Sequence, residues 1–235
     1  MYGRGTQMRF GPAHTPDVIK WLVGANVAVF LLQRLGIAPL LVLEPQLFWQ
    51  GGQIWRAATY MWLHYDALHL LLNMLGLWMF GSDVAASWGA RRFLRFYLIS
   101  GIGAGAIIAL WQGGLFFSGL SETTITLGAS GAIYAVLLAH SLLWPDRTLL
   151  LLFPPVPIRA LYLIPFLFLM DLIFAAPNVS HVGHLGGVLV GLFLLSRDGD
   201  AGVTVGQLQH RWKRWRMRRR LRAIDNEDWR RRQYH

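Results

Sequence analysis

The sequence predicts an all-α, polytopic membrane fold, a six-transmembrane-helix bundle, and three observations carry that expectation. Apolar residues make up 54% of the 235 and charged residues only 14%, with 11 Trp, 13 Phe and a mean hydropathy of +0.40. Soluble domains hold roughly 25% charged residues, and so little charge cannot cover a surface facing water. Six apolar stretches follow one another, each near the ~20 residues that a helix needs to cross ~30 Å of hydrocarbon. Finally, the Lys and Arg residues fall in alternate connections between those stretches.

Taken in order, the stretches run over residues 18–37, 66–82, 93–113, 126–144, 158–176 and 180–197, the second and sixth being short. They divide the chain into an N-terminal segment (1–17), a membrane domain (18–197) and a basic tail (198–235). The N-terminal residues lack the charged-then-apolar-then-small order of a cleavable signal, so the first stretch is expected to stay as a membrane anchor. Arg4, Arg9 and Lys20 lie at the start, Arg91, Arg92 and Arg95 in or near the second connection, and Arg147 and Arg159 around the fourth. With Arg197 and the tail these make 20 of the 22 basic residues; only Arg34 and Arg56 fall on the other side of six alternating helices. Excess Lys and Arg mark the cytoplasmic face. Both termini are therefore expected in the cytoplasm and Trp55, Glu122 and Asn178 outside, in a cell membrane read as a bacterial plasma membrane.

The formal net charge of +10 belongs mostly to the C-terminus, where residues 197–235 hold 12 Lys/Arg against 5 Asp/Glu. Topology explains that charge without nucleic acid, which is not an expected partner; the lipid bilayer is. Leu208, Trp212 and Trp215 share one helical face of the tail and Met217, Leu221 and Ile224 nearly the opposite one, which suits a solvated or headgroup-associated segment. No cysteine is present, so disulfides, thiolate metal sites and cysteine nucleophiles are excluded.

Polar groups within membrane spans are costly and are functional candidates by default. Here they are His64, His69, Asn73, Ser130, Asp171, His181 and His184, all expected near the outer ends of their helices. Ser130 stands in Gly128-Ala129-Ser130-Gly131 at the opening of the fourth stretch, where a helix N-terminus favours an oxyanion. The same small residues also suit a packing seam. His184 is followed by Gly187 and Gly191, which mark one face for close helix contact. His69 and Asn73, at i and i+4, share a face and can donate hydrogen bonds to developing negative charge, or clamp two helices. His64, His69, His181 and His184 could converge on a metal, but no acidic ligand set accompanies them, and no metal or other cofactor is expected.

Together these residues resemble the rhomboid family of intramembrane serine proteases, over about residues 18–197. The family's Trp-Arg pair matches Trp55-Arg56, its histidine five positions ahead of the oxyanion histidine matches His64, and its His-x-x-x-Asn matches His69 and Asn73. Gly-x-Ser-Gly-x-x-Tyr matches Gly128, Ser130, Gly131 and Tyr134, and His-x-x-Gly-x-x-x-Gly matches His184, Gly187 and Gly191. The resemblance implies a serine endopeptidase with a Ser130–His184 dyad, an oxyanion site of His69, Asn73 and the Ser130 N–H, and Tyr134 stacked on His184. It implies substrates that are single-span membrane proteins, cut near the outer end of their helices. His181 competes with His184 as base, and the glycine spacing favours His184. Asp171 invites a Ser-His-Asp triad; the resemblance implies a dyad, so a structural role is expected of it, through loop N–H groups or water.

Overall fold

A computed structural model describes residues 11–119, 125–150, 156–174, 180–198 and Gly206. Glu122, Asn178 and the tail beyond residue 198, Gly206 apart, lie outside the described residues. The chain divides into two compact units, Met1–Leu194 and Leu195–His235, and the helical bundle belongs to the first.

Helix α1 (Asp17–Leu32) starts after Pro16, whose fixed backbone suits a helix entry, and a 3₁₀ turn at Gln33–Leu35 extends it. The first connection holds three short helices, α2 (Ala38–Leu41), α3 (Pro45–Trp49) and α4 (Arg56–Thr59), then a 3₁₀ turn at Tyr60–Trp62. Helix α5 (Ala67–Gly76) is capped by Asp66, whose carboxylate accepts the His69 N–H at 2.7 Å. It continues through a π-helical segment (Leu77–Gly81) into α6 (Ser82–Trp88). Gly89, at φ +81°, breaks the chain into the 28-residue α7 (Ala90–Phe117). Helix α8 (Ser130–Leu143) follows. Next comes a small antiparallel pair, β1 (Thr148–Leu150) with β2 (Pro157–Arg159), in register Thr148↔Arg159. A 3₁₀ turn at Ala160–Tyr162 leads into α9 (Leu163–Phe174), and α10 spans His181–Arg197.

The fold is helical, as expected, but residues 158 and 159, read as the start of the fifth stretch, lie in β2. Among the described residues three helical runs are long and apolar enough to cross a membrane: Asp17–Leu35, Ala67–Trp88 and Ala90–Phe117. Ser130–Leu143, Ala160–Ile173 and His181–Arg197 are apolar but shorter. The second stretch is therefore not short. Gly81-Ser82-Asp83 reads as a stop, yet Ser82 is fully buried and Asp83 pairs with Arg147 and faces His140 at 3.6 Å. A carboxylate with partners on α8 and in the turn that follows it lets the helix run on. The fourth stretch begins at Ser130 rather than 126 because Thr126 is held extended against Leu43 by paired backbone bonds.

The core lies along α7 and α8, with Ile19, Leu77, Phe93, Tyr97, Ile108, Ala132 and Val136 buried. Trp21, Leu72, Leu172 and Phe193 face away from it and are exposed. An apolar periphery of this kind is the surface that lipid tails cover.

Candidate active site

Ser130 is the first residue of α8, so its N–H is among the helix-end donors that have no intrahelical partner. The approach to it is set by Gly128, at φ +128°, whose N–H donates to the Tyr60 carbonyl at 3.0 Å. A Cβ on Gly128 would lie 2.8 Å from His69 Cε1 and 3.9 Å from Ser130 Oγ. Glycine is thus required twice, for its backbone angle and for the His69 ring that lies against it.

His184 is the fourth residue of α10, whose start is fastened by Ser180: its carbonyl accepts the His184 N–H and its hydroxyl the Gly183 N–H. The imidazole stacks on the Tyr134 ring, centroids 4.1 Å apart and planes 12° from parallel. Tyr134 lies one helical turn beyond Ser130 on α8. What brings α10 this close is glycine: a Cβ on Gly187 would collide with the Gly131 carbonyl oxygen, and one on Gly191 would lie 2.8 Å from Ala135 Cβ. Ser130 and His184 therefore flank a backbone-to-backbone contact between their helices. Ser130 Oγ makes no hydrogen bond to His184 here; such bonds are often long until substrate binds.

The third contributor is α5. His69 accepts the Tyr65 N–H on Nδ1 at 3.4 Å, which places its proton on Nε2, and Nε2 is the nitrogen turned toward Gly128. Asn73 is buried, and its amide donates to the His69 carbonyl at 2.8 Å. One of its two N–H groups is thereby engaged along its own helix.

Around this centre the first connection acts as a brace. The buried Arg56 donates to the Val42 carbonyl and to Gln53 Oε1, each at 2.6 Å, and Trp55 Nε1 reaches the Leu40 carbonyl at 3.4 Å. Those bonds hold residues 40–43, and Leu43 holds Thr126, four residues ahead of Ser130. His64 is fully buried with its ring edge-on to His69, centroids 5.1 Å apart, and Gln33 bonds both backbone groups of His64. Burial, with His69 adding to it, pushes the His64 imidazole down to about 4, so it is neutral at pH 7. His181 is exposed at the head of α10.

The structure thus gathers Ser130, Gly128, His69, Asn73, Tyr134 and His184 at one end of the bundle, while Trp55, Arg56 and His64 support that end. Among the described residues no three His, Asp or Glu side chains converge as a metal ligand set. Three contributors were not singled out from the sequence. Ser180 and Asp66 are helix caps, and a polar residue just ahead of an apolar run is the signal that marks them. Gln33 acts across 31 residues of sequence, and no local pattern announces it. The partners of Asp171 also differ from expectation. Its Oδ2 accepts the Tyr134 hydroxyl at 2.8 Å and lies 2.5 Å from His184 Nδ1.

Comparison with known proteins covers the same stretch of chain. The family model described as the Rhomboid domain matches residues 51–197. Rhomboid protein 1, mitochondrial, of Saccharomyces cerevisiae is 32% identical over 76% of this chain and 52% of its own length. RHOMBOID-like protein 12, mitochondrial, of Arabidopsis thaliana is 29% identical over 77% of this chain and 58% of its own. Rhomboid protease AarA of Providencia stuartii is 29% identical over 74% of this chain and 69% of its own. The chain thus spans only about half the length of the first two.

Proposed function

The chain belongs to the rhomboid family of membrane proteins, some of them named proteases, and we propose that it is an intramembrane serine endopeptidase. The observation that carries this reading is the His184 ring, stacked on Tyr134 across the Gly131–Gly187 contact from Ser130. In the proposed reaction Ser130 Oγ attacks the scissile carbonyl while His184 takes its proton, and His184 returns that proton to the leaving amine. The tetrahedral oxyanion accepts hydrogen bonds from the Ser130 N–H, His69 Nε2 and the Asn73 amide. Water then attacks the acyl-enzyme, and Ser130 regains its proton.

The substrates are transmembrane proteins with one span, cut near the outer end of that span. A helix satisfies its own backbone groups, so it must unwind before a carbonyl can be presented; small residues at the cut and helix breakers nearby lower that cost. The setting is a bacterial plasma membrane with both termini cytoplasmic. The distribution of Lys and Arg supports the orientation, and the Providencia relative a bacterial setting, whereas the Saccharomyces and Arabidopsis relatives carry mitochondrial names.

The test is reconstitution of the full chain in liposomes with a generic single-span substrate. Cleavage is expected from the wild type and none from Ser130→Ala or His184→Ala, while His181→Ala keeps substantial activity. A fluorophosphonate probe is expected to label Ser130. Wild-type protein that binds the substrate but neither cuts it nor takes the probe would instead be a non-catalytic binder of membrane helices.

A further inference from the structure

We propose that Asp171 is the positioning residue of this site, selecting the ring flip and the tautomer of His184 that leave Nε2 free to act as base. The proposal rests on the Ser130–His184 reading. The Asp171 side chain, on α9, is 19% exposed and the His184 side chain 9%, so water competes little for the bond between them. One oxygen, Oδ2, serves both neighbours: it accepts the Tyr134 hydroxyl at 2.8 Å and sits 2.5 Å from His184 Nδ1.

Stacking on Tyr134 fixes the plane of the imidazole and no more. A half-turn about the Cβ–Cγ bond leaves the ring in the same plane and exchanges Nδ1 with Cδ2 and Nε2 with Cε1. The tyrosine face barely distinguishes those two states, nor does it choose which nitrogen holds the proton. The carboxylate does both. An ionised carboxyl only accepts, so the bond requires Nδ1 to carry hydrogen and Nε2 to keep its lone pair. The flipped ring presents carbon to Asp171 and loses the bond. As His184 takes the Ser130 proton and becomes cationic, the same carboxylate faces the new charge. Because Tyr134 is tied to the same oxygen, the stacking surface and the hydrogen-bond acceptor are held as one unit. The dyad implied by resemblance is in this chain a dyad with a fixed acceptor behind it.

The test uses the full chain in liposomes with the single-span substrate, measuring kcat and KM separately together with the rate of fluorophosphonate labelling at Ser130. Asp171→Asn is expected to lower kcat and the labelling rate together, by about tenfold or more, with KM little changed; loss of the correct tautomer in a triad costs as much as ~10⁴. Asp171→Glu is expected to recover part of the loss, and Tyr134→Phe, which keeps the stacked ring and removes only the hydroxyl, to lose less than Asp171→Asn. Nitrogen-15 spectra of histidine-labelled protein give a readout apart from turnover. The His184 signals, assigned by their absence from His184→Ala, are expected to show Nδ1 protonated in the wild type and a mixture of tautomers in Asp171→Asn. A folded Asp171→Asn protein with wild-type kcat and labelling overturns the proposal, as does a loss confined to KM or to thermal stability. If Asp171→Asn does not fold, an Nε2-protonated His184 in the wild type overturns it equally. Ser130→Ala separates the two readings: cleavage that survives it removes the parent reading, whereas cleavage that needs Ser130 but ignores Asp171 removes only this one.

Discussion

As proposed oxyanion donors, His69 and Asn73 differ in readiness. His69 Nε2 already points toward Gly128 beside Ser130, while the Asn73 amide donates to the His69 carbonyl with one hydrogen and has the other to offer. Removing a main oxyanion donor costs roughly 10²–10³ in rate. Asn73→Ala is accordingly expected to lower kcat more than it raises KM, by less than that range because His69 and the Ser130 N–H remain. The His69→Ala, Asn73→Ala double variant should reach the range, and an unchanged kcat there would remove both residues from the mechanism. His64 has a different signature. Its imidazole is pushed to about 4 in the fold, against ~6.5 for an unperturbed histidine. Between those values the unfolded chain binds a proton that the folded chain refuses, so stability is full above about 6.5 and falls as pH drops toward about 4. Thermal melts from pH 7 to pH 4.5 are expected to show that decline, and His64→Phe, which keeps an aromatic ring in the place, to flatten it. Equal slopes in the two proteins would mean the acid loss arises elsewhere.

Between elements, close approach is decided by single atoms. Gly187 meets the Gly131 carbonyl where α10 crosses α8, whereas Gly114 on α7 has open space around it. Gly187→Ala must separate the helices that carry Ser130 and His184, and a displacement of about 1 Å at reacting groups can cost ~10² in rate. It is expected to lower both the melting temperature and cleavage, with Gly114→Ala close to wild type in both; a Gly187→Ala protein as active and stable as the wild type would show that this contact is not what sets the pair. The second span teaches a related point. Polarity at Ser82 and Asp83 reads locally as a helix end, but His140 and Arg147, remote in sequence, supply partners, and the helix runs to Trp88. Where the fourth helix starts was likewise decided from outside it, by the Leu43–Thr126 bridge.

For the molecule as a whole the open quantity is orientation. Counted over the six apolar stretches read from the sequence as alternating spans, all the basic residues but Arg34 and Arg56 share one side, and such asymmetry sets topology when it lies near the membrane. Because the chain has no native cysteine, single introduced cysteines report sidedness directly. Positions 55, 122 and 178 are expected to react with a membrane-impermeant reagent from the outside. Asp146, exposed between α8 and β1, is expected to react as Asp146→Cys only after permeabilisation. Labelling in the reverse pattern would invert the protein and place the Ser130 end on the cytoplasmic side.

The sequence by itself determined the class of the fold and singled out most residues of the candidate site. Low charge and long apolar runs leave a chain no stable surface except against lipid. Ser130, His184, His69 and Asn73 stand out because polar groups are expensive in that setting, and Gly187 and Gly191 because their spacing marks one helix face. What tertiary structure alone decided are the contacts between residues far apart in the chain. Gln33 holds His64, Arg56 holds Val42, and Asp171 holds His184 and Tyr134 together. The partner of a buried carboxylate is fixed by which helices meet, and helix meeting is set by shape at a few small residues rather than by any local pattern. A sequence shows that a charge such as Asp171 must be satisfied, but only the packed bundle shows by what.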